Sequence, residues 1–330
     1  MTQKYSQTSG VPLSIAVFLA TDHYDHNDDP NTISVTTLIK STRQIVLSTR
    51  VPPGDKVIDL MSMMTSRLGT AIHTGIETAW TDNYQNALKT LGIPDAVIKG
   101  VRINPSPEEA KNPDIIPIYM EQRLSQQFGK WTVTGKFDFV GQGRLEDFKS
   151  TTAYVVMNKM NEPKFIKQGS IYRMLGPDII THPNMAIQYI IRDWSAPQAR
   201  QNEAYPQKPS VERILPLDGI NETRSYVVHK LNQLDLYMNA PESDIPFCTD
   251  EELQVSAPVY KYYSDAVKAD SGGKSSKNFD SPVEAYKHLS EKGKGVVKEF
   301  PGEATACRFC AAFSVCSQKD ALAAAGRLSI

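Results

Sequence analysis

From residue 116 onward the apolar positions fall into short alternating runs, IPIYMEQRL, KWTVTGKFDFV and GRLEDFKST, punctuated by turn residues. Alternation with period two predicts strands, and Gln142-Gly143 between the last two runs predicts a two-residue hairpin loop. On either side the period lengthens. ISVTTLIKSTRQIVLSTRVP (33–52) predicts a capped amphipathic helix that stops at a Pro-Pro break. A second helix, opened by Asp55, carries LMSMMTSRLGTAIHTGIETAW. A third runs from about Asn161 through FIKQGSIYRML to Gly176-Pro177, and a fourth from Asn221 to about Met238. NMAIQYIIRDW (184–194) reads as one more strand. Residues 92–115 and 195–218 read as Pro-containing connections, the first with a short strand around Val97 to Ile103. Residues 1–32 read as an irregular arm. After Pro241 come the Lys- and Ser-rich KADSGGKSSKN, a helix near 281–292 and a cysteine-rich end. Mixed strands and helices predict an α/β fold, with a central mixed sheet, helices on both sides and a metal-stapled C-terminal tail. The expected organisation is an arm (1–32), a core (33–240) and an extension (241–330).

Composition narrows the function classes only a little. A formal net charge of −1 supplies no global basic field, so a nucleic-acid enzyme would need a local basic channel. No apolar run approaches the length of a membrane span. The N-terminal apolar patch is short and runs into the acidic TDHYDHNDDP, which does not read as a signal peptide; a cytoplasmic protein is expected. His23, Asp25, His26, Asp28 and Asp29 have metal-binding residue types, but such a charge-dense stretch reads better as a solvated loop.

The hairpin holds sharper chemistry. With Gln142-Gly143 as the loop, Gly141 faces Arg144, and counting outward sets Asp138 opposite Asp147. Lys149, two residues on, projects to the same face. Facing carboxylates repel unless a cation lies between them, and Mg²⁺ takes one or two carboxylates while keeping several waters. An ammonium beside them can orient water or stabilise charge on a phosphoryl oxygen. A solvated surface hairpin fits this segment alone equally well. Phe137, Phe139 and Phe148 around the charges point to interior strands, where unpaired charge is costly. His73 and Glu77 share a helical face, but Glu77 reads as a local salt-bridge or capping residue.

Taken in order, residues 33–194 resemble the PD-(D/E)XK nuclease superfamily, in particular its RecB-like exonuclease branch. The matching residues are His73 in GTAIHTGIE, Glu121 in IPIYMEQRL, Asp138, the Asp147-x-Lys149 pair, and Gln168 with Tyr172 in KQGSIYRML. The resemblance implies a restriction-endonuclease-like core and a metal-dependent DNA exonuclease, of the kind used in phage or bacterial recombination and replication. It implies Mg²⁺ or Mn²⁺ on Asp138 and Asp147, joined by His73 and the carbonyl after Asp147. Lys149 would position water or stabilise the transition state, and Gln168 and Tyr172 would hold a DNA strand. Glu121 would be a further acidic contributor. Arg173 and Trp194 could meet phosphate and base, although surface charge and packing are their commoner uses. The alternative is a non-catalytic DNA-binding or scaffolding protein on the same fold; such a protein is expected to lack Asp147 or Lys149, and this chain has both.

Cys307, Cys310 and Cys316 form a C-x2-C-x5-C knuckle, and Cys248 is the only other cysteine. Four thiolates are the full complement for zinc or for an iron–sulfur cluster. The knuckle resembles the C-terminal cysteine triplet of iron–sulfur RecB-like nucleases, which implies a structural 4Fe-4S cluster, with zinc as the alternative. In those nucleases the fourth ligand usually comes before the nuclease core, whereas Cys248 follows it.

Overall fold

Two serines break the stretch expected to be one helix over 33–52. Ser34 caps Val35–Leu38, and Ser41 accepts the Gln44 N–H to start Thr42–Ser48. A hydroxyl that accepts from the N–H three residues on favours starting a helix over continuing one. The break also divides the chain. In the computed structural model, which describes residues 4–21, 29–52 and 57–329, the chain packs as two units. One comprises Met1–Ile39 and Lys56–Asn232, the other Lys40–Asp55 and Gln233–Ile330. The boundaries expected at 32 and 240 therefore differ from the packing: residues 40–55 and 233–240, expected in the core, belong with the C-terminal unit.

The first unit holds a six-stranded mixed sheet. Its order is Ser210–Pro216, Asn184–Ile191, Arg144–Thr151, Phe139–Gly141, Ile116–Met120 and Val101–Ile103. Asn184–Ile191 runs parallel to Arg144–Thr151, and Val101–Ile103 parallel to Ile116–Met120; the other pairs are antiparallel. Helix Met64–Asp82 lies on one face, where Ile76 and Trp80 pack with Phe139 and Phe148. Helix Glu162–Leu175 lies on the other. Its Gly169 comes so close that a Cβ would stand 2.4 Å from the Met185 sulfur and 3.3 Å from Leu145. Leu145 and Phe148, odd and even positions of one strand, account for the two faces. A smaller sheet pairs Thr32–Ser34, Trp131–Lys136 and Arg123–Phe128. The α/β class, with mixed sheets flanked by helices, is as expected.

Several local expectations fail for physical reasons. Residues 1–32 are not an irregular arm throughout: Lys4–Ser6 pairs with Val57–Asp59, and Leu13–Ala20 is a helix that buries Ala16 and Leu19. The Pro-containing segments hold short elements, helix Asp95–Gly100 in one, helix Ala196–Gln201 and strand Ser210–Pro216 in the other. In Ala196–Gln201 the proline falls in the first turn, where a missing N–H costs nothing. Asp55 lies outside the described residues; Asp59 caps a short 3-10 turn, Leu60–Met63, that leads into the helix, its carboxylate accepting the Met61 N–H. His23, Asp25, His26 and Asp28 also lie outside them, and Asp29 serves a local turn with Asn31 and Thr32.

In the second unit, Arg50 binds the carbonyls of Tyr237, Met238 and Ala240. The expected helix near 281–292 is present as Pro282–Lys292, and around it and the Lys- and Ser-rich segment lies a small folded module. Lys277–Phe279, Val259–Tyr263 and Val296–Phe300 form an antiparallel sheet, and helix Pro282–Lys292 covers Tyr262, Phe279 and Val297 through Ala285. Among the described residues no helix is long and apolar enough to cross a membrane.

Candidate active site and cysteine centre

One backbone feature concentrates the acids. The runs expected as single strands, 116–124 and 130–140, each break once and continue in the other sheet. At the break Glu121 takes a left-handed φ of 50°, its N–H donates to the Asp138 carbonyl at 3.1 Å, and the Phe137 N–H donates to Gln122 at 3.2 Å. A non-glycine residue at positive φ is strained. The bend turns the Glu121 and Asp138 side chains to one place. The hairpin register is the expected one: Gly141 faces Arg144 and Phe139 faces Glu146, with Gln142 and Gly143 both at positive φ as a type I′ loop requires.

Helix Met64–Asp82 then adds His73. Its Nδ1 lies 3.5 Å from Asp138 Oδ1, and its Nε2 lies 2.9 Å from the Phe148 carbonyl oxygen. Asp138 Oδ2 accepts the Phe148 N–H at 2.9 Å. Ligand atoms of His73, Glu121 and Asp138 all lie within 4.8 Å of one another. Glu121, expected as a further acidic contributor, is thus in the cluster and ion-paired with Lys136. Asp147 is buried beside it and ion-paired with Lys149. Of the metal set expected from the sequence, His73 and Asp138 come together with Glu121. Asp147 is committed to Lys149, and the carbonyl after it, that of Phe148, is at His73.

The charges of these groups follow from burial and neighbours. Burial pushes the Asp147 carboxyl up to about 6, against the pull of the Lys149 ammonium. Burial alone would raise Asp138 as well, but His73, Lys149 and the Phe148 N–H outweigh it and hold this carboxyl below its ordinary value. Its hydrogen bond to His73 raises the imidazole, more than burial lowers it. Burial raises Glu121, with Lys136 partly offsetting. Burial disfavours the Lys149 charge, yet Asp147 and Asp138 prevail and raise its pKa.

Gln168 and Tyr172 do not both face outward. Gln168 Nε2 donates to Tyr172 Oη at 3.2 Å, and Tyr172, 4% exposed, donates to the Lys136 carbonyl at 3.0 Å. Tyr172 therefore braces the strand that leads into the bend, in place of the expected DNA contact. Trp194 is likewise structural, its indole N–H donating to Pro206 at 2.7 Å. Tyr189, the register neighbour of Lys149, was not foreseen; among the described residues its buried hydroxyl has no hydrogen-bond partner.

All four cysteines lie in the second unit as free thiols. Burial, then the neighbouring Cys310, Cys248 and Cys316, push the Cys307 thiol up to about 11. Cys316 caps helix Ser317–Ala324, and Gln318 on that helix clamps Cys248 from both sides, accepting its N–H and donating to its carbonyl at 2.9 Å each. Cys248 and Cys307 pack against Leu253, Ala304, Leu322 and Leu328. The early segment that belongs to this unit reaches these cysteines too: Ser41 Oγ lies 3.1 Å from Cys248 Sγ, and Arg43 Nε donates to Cys316 Sγ at 3.3 Å.

No family model matches the chain, and no curated protein matches it. A solved structure described as the crystal structure of SSO0001 is similar at 14% identity and a TM-score of 0.42, over 74% of this chain and 93% of that one. So distant a likeness carries no functional argument, and the reading below rests on the residues.

Proposed function

We propose that the chain is a divalent-metal-dependent deoxyribonuclease of the PD-(D/E)XK type, acting from DNA ends. The observation that carries the reading is the convergence of His73, Glu121 and Asp138 within ligand distance of one another, beside the buried Asp147–Lys149 pair. An imidazole and carboxylates at a bend suit a hard cation such as Mg²⁺ or Mn²⁺. When bound, the cation would supply Lewis-acid polarisation of the scissile phosphate and an acidified water.

The residues of the chain do the rest. Asp138 is kept ionised, so it is ready to accept a cation at neutral pH. His73 presents Nδ1 toward Asp138 while the Phe148 carbonyl fixes the ring through Nε2, which leaves Nδ1 as the ligand nitrogen once its proton departs. Lys149 stays an ammonium because Asp147 and Asp138 hold its proton. It therefore acts as a donor to water or to developing charge on phosphoryl oxygen, not as a base. Asp147 holds that ammonium in place and, being largely ionised above about pH 6, makes the site more anionic as pH rises.

In the same proposal the four cysteines hold a structural metal centre, an iron–sulfur cluster with zinc as the alternative. The fit rests on the donor set: four free thiols in one unit, Cys248 and Cys307 packed against one apolar cluster and Cys248 and Cys316 both reached from the turn that holds Ser41 and Arg43. The test of the whole reading is cleavage of end-labelled single- and double-stranded DNA with Mg²⁺ or Mn²⁺. Cation-dependent release of nucleotides from ends, absent in Asp138→Asn, is expected. No cleavage of either substrate with either ion would overturn it.

A further inference from the structure

Among the described residues Arg43 is the most deeply buried charged side chain, 2% exposed. A guanidinium has five N–H donors and cannot give up its charge. All five are accounted for. Two on one terminal nitrogen go to the carbonyls of Ile245 at 2.9 Å and Glu242 at 3.3 Å. The other terminal nitrogen pairs with the Glu242 carboxylate and reaches Ser317 Oγ at 3.3 Å. The fifth, on Nε, goes to Cys316 Sγ at 3.3 Å.

Ser41, two residues earlier, gives a matching account. Its oxygen accepts the Gln44 N–H as helix cap at 3.0 Å. A hydroxyl has a single proton, and the Cys248 sulfur at 3.1 Å is placed to take it. A thiolate sulfur can only accept, so Ser41 donates whenever Cys248 is a metal ligand. One turn of helix thus aims a donor at each of two cysteines 68 positions apart in sequence, Cys248 and Cys316.

We propose that Ser41 and Arg43 are the positioning residues of the cysteine centre, fixing the Cys248 and Cys316 sulfurs by hydrogen bonds and setting a positive charge beside them. This rests on the reading of the four cysteines as a metal centre. Groups that bond to metal ligands commonly change metal affinity about 10–100-fold when removed. Hydrogen bonds to ligand sulfurs and local charge also set the potential of an iron–sulfur cluster, and removing a donor makes the sulfur richer and the potential more negative. Lys in place of Arg43 has three donors on a point charge and cannot reproduce the planar fork that serves sulfur, carboxylate and carbonyls together.

The experiment compares wild type, Arg43→Lys, Arg43→Gln, Ser41→Ala and Arg50→Gln, purified anaerobically at full length. Arg50 is the control, since it holds carbonyls in the same unit without touching sulfur. Metal content, release of iron to a chelator, and an optical redox titration are measured on each. Arg43→Lys and Arg43→Gln are expected to release iron about 10–100-fold faster and to titrate at a more negative potential. Ser41→Ala should shift both the same way by less, and Arg50→Gln should leave the potential at the wild-type value. Unchanged release and potential in folded Arg43→Gln would overturn the proposal. Should the Arg43 variants fail to fold, Ser41→Ala decides, and wild-type behaviour there overturns it. If wild type carries zinc, the same variants are judged by zinc release to a chelator. Wild type with neither metal overturns the metal-centre reading itself, a different outcome from a loaded protein indifferent to Arg43.

Discussion

Replacing Lys149 with Met tests the electrostatics of the proposed site without any DNA. Asp147 is 4% exposed and its carboxyl titrates at about 6 because burial outweighs the Lys149 charge. A folded-state value above the unfolded one of about 3.9 means the native protein holds the proton longer, so stability falls as pH rises from about 4 to about 6. In wild type that loss ends near pH 6, where Asp147 has ionised in both states. Without Lys149 the carboxyl loses its principal stabiliser and keeps its proton above 6, so the loss continues. Wherever the variant keeps a proton that wild type has released, its stability falls by about 1.4 kcal/mol more per pH unit. Above pH 6 the curves should therefore separate, by about 1.4 kcal/mol for each unit by which the variant's midpoint exceeds that of wild type.

The assay is urea unfolding from pH 5 to pH 8.5 in chelator, followed by the fluorescence of Trp80, Trp131 and Trp194. Lys149 also opposes the His73 proton, so His73 adds to the divergence with the same sign. Repeating the comparison with Asp147→Asn in both proteins isolates the carboxyl, and most of the divergence should vanish. Parallel stability curves for wild type and Lys149→Met would refute the claim that Lys149 keeps Asp147 ionised.

The other expectations are more direct. Lys149→Ala should abolish cleavage while DNA binding survives, whereas Asp147→Ala, which leaves the Lys149 ammonium unbalanced beside the ligand groups, should also weaken cation binding; retained turnover in either, on labelled DNA, would count against the assignment. Asp138→Asn should let the raised His73 pKa fall back, so the variant loses the stability that this ion pair adds to wild type below about pH 6.5; NMR titration of the ring reads this, and an unmoved His73 would contradict the pairing. Tyr189→Phe removes a buried hydroxyl without a partner and should stabilise by about 1 kcal/mol, with marked destabilisation as the contrary result. Cys310→Ser should release metal and lower the unfolding midpoint of the second unit; wild-type metal content would remove Cys310 from the centre.

What could be read in advance and what could not divide along the range of the forces involved. The hairpin register was legible because Gln142-Gly143 fixes the loop and the side-chain period then leaves no freedom. The helix carrying Gln168 was legible from its period, but the partner of Tyr172 was not, because the Lys136 carbonyl is a tertiary neighbour. The bend at Glu121 left no sequence signal, since nothing in Met120-Glu121-Gln122 asks for a positive φ. The place of residues 40–55 was hidden for the same reason, although one clue existed. In TRQIVLS, Arg43 shares a helical face with Val46 and Leu47, both fully buried, and an Arg on such a face calls for buried acceptors.

The strained Glu121 also says where the site can give way. Tyr172 fills the space beside Gly135, where a Cβ would stand 2.5 Å from the tyrosine ring and 2.7 Å from Val35. Neither neighbour can retreat easily: Tyr172 is anchored through its hydroxyl, and Val35 is fully buried at the start of its helix. Gly135→Ala should therefore cost about 1–3 kcal/mol by overpacking. The strain would fall on the strand Trp131–Lys136, whose last residue holds both the Tyr172 hydroxyl and the Glu121 carboxylate. Released from that hold, Glu121 has less reason to keep its positive φ, and the distance from Glu121 to His73 and Asp138 should loosen. Gly135→Ala is thus expected to weaken cation binding several-fold without altering any ligand, measured by Mn²⁺ titration on the folded variant. A destabilised protein with unaltered Mn²⁺ affinity would mean that the bend is held by its own hydrogen bonds, Glu121 N–H to Asp138 and Phe137 N–H to Gln122, and not by the packing behind it.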